Sequence, residues 1–280
     1  MNSASTVSPA RTCVVVCYYT GQDVKHLHRL LDQFRRVPAG VPFDLMIVVN
    51  GGDERPLTLP ERFAPLRPRI ENRVNRGYNI EGWDVGWRLA PGYDYYLFLQ
   101  AECLLKRPNW LAEFEFRAAN DPGVGLIGET IMWDRQSWEF IRTATDRDLG
   151  AHAWPAGEPD HSLDTYQRLI AARGVPPGAV GTHLPSIILF APRAVLEAVG
   201  GFPLIGTTYR EAVACEIATS RLIEAHGYRV VTIRGEAFHF IGHRQWRRDH
   251  VARMLWMARV RALGARFGAR RLKRWLKRGR

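Results

Sequence analysis

Apolar residues along the chain follow two rhythms, short unbroken runs and stripes at every third or fourth position. Residues 13–19, CVVVCYY, form a continuous run rich in β-branched residues, as expected of a strand covered on both faces. TGQD breaks the run. From Asp23, an N-capping residue type, Val24, Leu27, Leu30, Leu31 and Phe34 recur at helical spacing. FDLMIVVN (43–50) reads as a second buried strand and ends in Asn50, Gly51, Gly52 and Asp53. Strand, helix, strand in that order imply a right-handed crossover and a parallel pair.

The pattern then repeats with variations. A loop marked by Pro56, Pro60, Pro65 and Pro68 leads into NRGYNIEGWDVGWRLA (75–90), where Ile80, Trp83, Trp87 and Ala90 make one helical face. YDYYLFLQ (93–100) is the next strand, followed by a helix from Asn109 and the apolar segment GVGLIGETI (123–131). Residues 132–180 have no clear period but hold Trp133, Trp138, Phe140, Trp154 and Tyr166. Order returns with PSIILFA, a helix begun by Pro192, the turn GGFP, a helix over 211–227 and the strand YRVVTI. Alternating strands and helices predict a doubly wound α/β fold, whose ligands bind outside the carboxyl ends of the strands. That rule accounts for Glu102, a carboxylate inside an apolar run, where an unpaired charge would cost several kcal/mol. Tyr19, Asn50, Asp53, Gln100 and Glu102 all fall at carboxyl ends of proposed parallel strands.

Composition supports one large α/β domain: 280 residues, 46% hydrophobic and 24% charged. Residues 1–11 are small and polar and read as disordered. No apolar run approaches the ~20 residues that cross a bilayer. Four cysteines without a C-x-x-C pair suit a reducing cytoplasm. The net charge of +11 is local: residues 244–280 hold 14 Lys/Arg against one acid, Asp249, whereas the other 25 bases face 27 acids. From His250 the tail reads helical, with Trp256, Val260, Leu263 and Phe267 on one stripe and Leu272, Trp275 and Leu276 on a second. Residues 250–280 are therefore expected to lie on an anionic membrane surface, each base contributing ~1 kcal/mol. The alternative docks the Trp256 stripe on the protein's own core. Nucleic acid is not the expected partner, since the body is not basic and no nucleic-acid module is visible.

Six stretches carry a resemblance: VVVCYYTGQD, IVVNGGD, NRGYNIEGWDVG, YLFLQAECLLKRPNWL, APRAVLEAVGGFP and EIATSRLIEAHGYRV. In this order they resemble the family 2 glycosyltransferases over most of residues 12–243. The resemblance implies a glycosyltransferase-A type fold, a Rossmann-like doubly wound mixed sheet, here with C-terminal basic amphipathic helices. It divides the chain into a nucleotide-binding half (12–131), an acceptor-side half (132–243) and the tail (244–280). It further implies a hexosyl- or deoxyhexosyltransferase taking a nucleotide-sugar donor to a glycan or lipid-linked acceptor, usually with inversion, in cell-surface glycan assembly. Such an enzyme is expected in the cytoplasm, peripheral on the inner face of the membrane.

Residue by residue, the resemblance assigns Tyr18, Tyr19, Thr20 and Gly21 to the nucleobase pocket and Asn50 and Asp53 to base or ribose. Asn75, Gly77 and Asp84 fall where donor sugar or diphosphate is met, although the family has Asn where Asp84 stands. The family's Asp-x-Asp motif, whose carboxylates hold Mg²⁺ or Mn²⁺ against the donor diphosphate, is replaced by Gln100, Ala101 and Glu102. The chemical need is to offset two phosphates as the leaving group departs, which a hard oxygen-bound cation does. Three readings follow: Glu102 holds the metal with His239 or His243, which is favoured; transfer needs no metal; or the chain is a silent member that only binds nucleotide-sugar or glycan. Inverting transfer also needs a base for the acceptor hydroxyl. The family's spacing lands on Glu216, with Glu211 as competitor, and both are also ordinary helix acids. Trp133, Trp138 and Trp154 sit where an acceptor subsite forms and equally suit packing.

Overall fold

The computed structural model describes residues 12–142 and 162–244. The expected disorder at residues 1–11, Trp154 and the amphipathic tail over 250–280 lie outside these residues. The first βαβ unit forms as the periodicity predicts: β1 Thr12–Tyr19, α1 Lys25–Arg36 and β2 Phe43–Asn50. The N-cap position of α1 is Val24, which has no side-chain cap; Asp23, one residue earlier, accepts the Lys25 N–H at 3.0 Å. The proline-rich loop contains a 3₁₀ turn, Glu61–Leu66, and a short strand, β3 Arg69–Arg73, that the polar sequence RIENR does not announce. Next come α2 Tyr78–Leu89, β4 Tyr95–Gln100 and β5 Cys103–Leu105. They are followed by α3 Ala112–Ala119, β6 Val124–Gly128 and, within the aperiodic stretch, α4 Ser162–Ala172. The chain continues with β7 Ile188–Pro192, α5 Arg193–Val199, α6 Tyr209–Ala225, β8 Arg229–Thr232 and β9 Ile241–His243.

Seven strands form one sheet in the order β3-β2-β1-β4-β7-β6-β8. Only β7 runs against its neighbours, so six strands share one direction. β1 sits mid-sheet and is covered on both faces. Val14, Val16 and Tyr18 pack with α1 and Trp110 on one side, while Cys13, Val15 and Cys17 pack with Trp83 and Trp87 of α2 on the other. The unbroken apolar run of β1 is the sequence image of that double burial. Trp83 is fully buried, and removing a side chain of that size typically costs about 3–5 kcal/mol. No helix among the described residues is long and apolar enough to cross a membrane.

A second, two-stranded sheet pairs β5 antiparallel to β9, with Cys103 opposite His243. Glu129, just past β6, holds this sheet in place. Its buried carboxylate accepts the N–H groups of His239 (2.7 Å), Phe240 (3.0 Å) and Ile241 (2.7 Å). Burial pushes its pKa up to about 7 even though these three donors favour the charged form. Through β9, Glu129 therefore fixes where His243 stands.

Candidate active site

The parallel register brings the strand ends to one edge. Tyr19 lies opposite Asn50, and Cys17 opposite Gln100. With strands about 4.8 Å apart and rising about 3.3 Å per residue, Asn50 and Gln100 are two strand spacings across and two residues along from each other, about 12 Å. The turn leaving β1 spans this gap: the Thr20 N–H donates to the Asn50 carbonyl at 3.0 Å, and Gln22 Nε2 donates to Glu102 Oε2 at 3.1 Å. Tyr18 is buried, and its hydroxyl donates to the Gln22 carbonyl at 3.1 Å. Tyr19 is exposed, its ring folded over Gly21, where a Cβ would come within 2.4 Å of the ring. Only glycine lets that aromatic face lie flat at the rim.

Beside it, the end of β2 is tied down rather than open. The buried Asn50 amide donates to the Tyr78 carbonyl at 2.9 Å and accepts from Arg73 at 2.8 Å. Arg73 in turn pairs with buried Glu81 at 2.6 Å, and Arg76 joins from the surface at 2.8 Å. This knot requires Gly77, whose φ is +69° and whose added Cβ would land 2.0 Å from Glu81 Oε2. Asn50 and Gly77 thus shape the rim, and exposed Asp53 and Asn75 border it. Asp84 does not reach the rim. Its carboxylate is buried on α2 and takes hydrogens from Arg88, from Trp87 Nε1 at 2.9 Å and from the Phe202 N–H at 3.1 Å. The expected donor-sugar contact is replaced by an anchor that fixes the Gly-Gly-Phe turn to α2.

At β4 the sequence GlnAlaGlu is threaded into a chain of hydrogen bonds. Ser186 donates from its N–H (2.5 Å) and hydroxyl (2.7 Å) to Glu216 Oε2, and its carbonyl accepts from Gln100 Nε2 at 2.6 Å. Gln100 Oε1 then faces His243 Nε2 at 3.0 Å, and that nitrogen is 3.7 Å from Glu102 Oε2. Each assignment forces the next. A carbonyl only accepts, so the Gln100 amide nitrogen must point to Ser186. Its oxygen must therefore point to His243, whose Nε2 carries the hydrogen. Burial, with a smaller push from His26, lowers the His243 pKa to about 4, so the ring is neutral. Ala101 is buried and packs under this chain, its N–H held by the Cys17 carbonyl at 3.0 Å.

This donor set does not fit the expected Mg²⁺ or Mn²⁺. His243 has no exposed side-chain surface, and the nitrogen nearest Glu102 holds a hydrogen instead of a free lone pair. Glu102 is 8% exposed and already accepts from Gln22. His239 stands apart, its ring 3.0 Å from Glu236 and stacked edgewise on Phe240. Among the described residues no group of three or more His, Cys, Asp or Glu side chains is arranged to hold a metal.

The two candidate bases are held by different partners. Glu211 is the third residue of a capping box on Thr208, and its Oε2 accepts the N–H groups of Thr207 (2.9 Å) and Thr208 (2.8 Å). Those bonds hold its pKa below the usual range. Glu216, further along α6, bridges Ser186 and His183. His183 Nδ1 is 2.8 Å from the Gly181 carbonyl and so donates there; Nε2 lies 3.2 Å from Glu216 Oε1. Trp133 packs edge-on against His183 with centroids 5.0 Å apart, and Trp138 is buried with its Nε1 on the Gly178 carbonyl at 3.1 Å. Of the tryptophans expected at the acceptor, Trp133 packs between His183 and the core, and Trp138 belongs to the core. Tyr209 is exposed at the start of α6. Gln22 lies in the first motif stretch without a role assigned there, whereas His183 and Ser186 lie in no motif and folding alone brings them in. A cavity of about 590 Å³ opens elsewhere, against β8, lined by Arg117, Asp134, Arg135, Arg221, Glu224 and Thr232.

No protein-family model matches the sequence, and no curated protein does. Among solved structures, similarity is found at low identity. A mannosyltransferase from Pyrobaculum calidifontis, PcManGT in complex with GDP-Man and Mn²⁺, superposes with a TM-score of 0.50 at 18% identity, over 81% of this chain and 55% of that one. Residues 1–349 of TarS from S. aureus follow with a TM-score of 0.47 at 13% identity, over 82% and 59%. The chain thus spans little more than half the length of these structures. The fold is the mixed α/β architecture of the glycosyltransferase-A type.

Proposed function

We propose that the protein is a glycosyltransferase that moves a sugar from a nucleotide-diphosphate donor to a glycan or lipid-linked acceptor. The observation carrying this reading is the hydrogen-bond chain from His243 through Gln100 and Ser186 to Glu216, with Glu102 Oε2 3.7 Å beyond His243. It joins the edge expected to meet the diphosphate to the carboxylate expected to act as base. The mannosyltransferase of similar fold carries GDP-Man, a donor of this class. In the proposed reaction Glu216 accepts the proton of the acceptor hydroxyl as its oxygen bonds to the anomeric carbon. The bond from that carbon to the diphosphate breaks with inversion, and the nucleoside diphosphate leaves with the electron pair. Tyr19 and the 20–22 turn are proposed to face the nucleobase, and Trp133 and Tyr209 the acceptor. The tail over 250–280 is proposed to hold the enzyme on the anionic inner face of the cytoplasmic membrane.

The test incubates the full chain with a panel of UDP-, GDP-, ADP- and TDP-sugars and measures release of nucleoside diphosphate. Wild type should hydrolyse one donor slowly, and Glu216→Gln should lower that rate ~10²-fold or more with donor affinity retained. Donor binding without any turnover, with lipid-linked or glycan acceptors supplied, would leave a silent binding protein instead. For the tail, flotation with phosphatidylserine liposomes should weaken when the chain ends at Arg244; equal recovery would remove the membrane proposal.

A further inference from the structure

The departure from a two-carboxylate motif has a consequence for how a diphosphate is held. A metal at this edge would draw on carboxylate oxygens, and an imidazole could join only through a free lone pair. The chain from Glu216 withholds that lone pair at His243 Nε2. Ser186 is clamped by Glu216, so its carbonyl direction is fixed; Gln100 must donate to it at 2.6 Å; and Gln100 Oε1 then demands the hydrogen on His243 Nε2 at 3.0 Å. A carboxylate at position 100 could not donate to Ser186, so this locking depends on the glutamine. Glu102 is turned inward against Gln22 and His243.

A permanent cation stands at the same place. The Arg244 N–H donates to the Glu102 carbonyl at 3.2 Å, which sets Arg244 directly beside the motif. Its exposed guanidinium reaches His26, with Nη1 2.7 Å from the ring Nε2. Through these contacts Glu102, His243, His26 and Arg244 form one cluster. Guanidinium is planar, always charged, and offers paired N–H groups that match phosphate oxygens.

We infer that this site binds its nucleoside diphosphate without a divalent metal, Arg244 meeting the phosphate charge and Gln100 keeping His243 and Glu102 out of metal ligation. The inference rests on the proposed nucleotide-sugar reading and replaces the metal that the motif resemblance implies. Binding is metal-free on both sides of transfer: no cation enters with the donor and none leaves with the product.

The test is titration calorimetry of the full chain with UDP, GDP, ADP and TDP, once in EDTA and once in Mn²⁺, with electron paramagnetic resonance reporting bound Mn²⁺ directly. In wild type one nucleotide should bind with less than twofold difference between EDTA and Mn²⁺. Arg244→Ala, a surface change that spares the fold, should weaken that binding at least tenfold. Gln100→Asp restores a second carboxylate and frees the His243 hydrogen, so Mn²⁺ should now tighten binding tenfold or more, with a bound-Mn²⁺ signal that wild type lacks. Wild-type binding that appears only with Mn²⁺, or a wild-type Mn²⁺ signal abolished by Glu102→Ala, overturns the inference while leaving the transferase reading intact. If no nucleotide binds under either condition, the transferase reading falls, and the inference with it. Should Gln100→Asp fail to fold, the EDTA comparison and Arg244→Ala decide alone.

Discussion

Acidification should cost the wild-type protein stability that a His243→Gln variant keeps. The native His243 ring is held neutral to about pH 4, chiefly by burial and secondarily by His26, against an ordinary value of 6.5. The unfolded chain therefore binds more protons between those values. The contribution is complete above pH 6.5 and is lost as pH falls toward 4. Each pH unit between the two values is worth ~1.36 kcal/mol, so the whole window amounts to about 3 kcal/mol. Glu129 works in the opposite direction: its native pKa is raised from 4.5 to about 7, so the folded state binds more protons in that window and gains stability as pH falls. The wild-type curve alone would show the two nearly cancelling. Subtracting the variant isolates His243, because glutamine can still offer an amide hydrogen to Gln100 without titrating. Urea unfolding followed by tryptophan fluorescence, from about pH 7.5 to about pH 4.5, measures both proteins. Wild type should lose roughly 3 kcal/mol relative to the variant across the series. Curves that stay parallel within about 0.5 kcal/mol would refute the buried, neutral, hydrogen-donating ring on which the metal-free site depends.

Three further outcomes can be checked independently. Gly77→Ala forces a Cβ into Glu81 at a φ of +69° and should lower stability by about 1–3 kcal/mol in chemical denaturation; an unchanged midpoint would show that the Arg73–Glu81 knot can yield. Glu211→Gln should cost about 1 kcal/mol through the helix cap and leave donor hydrolysis within a few-fold, whereas a rate loss matching Glu216→Gln would exchange their roles. Asp84→Asn should reduce stability by roughly 1–3 kcal/mol, since it weakens bonds to Arg88, Trp87 and Phe202, while nucleotide affinity measured by calorimetry stays level; a selective loss of affinity would return Asp84 to the donor site.

Local pattern made much of the architecture legible. The β1 run, the α1 stripe and the β2 run announced a parallel βαβ unit, and the strand-end rule placed Tyr19, Asn50 and Gln100 on one edge. Where the signal was weak, the reason is physical. β3 is the outermost strand of the sheet and half exposed, so RIENR needs no apolar run. Asp84 and Glu211 occupied motif positions but were taken by partners elsewhere in sequence or in a cap, and exposure of a carboxylate cannot be read from spacing. Glu216 and His183 are 33 residues apart, and neither has a local feature that signals the other.

What the sequence determined by itself was the order of elements, the faces they bury and the loss of a carboxylate at position 100, because backbone periodicity and residue identity are local properties. What only the tertiary structure decided was the direction of each hydrogen along Glu216, Ser186, Gln100 and His243. That direction depends on which acceptor-only groups the fold sets at the ends of the chain. Those groups come from α6, the approach to β7, β4 and β9, segments brought within about 3 Å of one another only when the sheet closes.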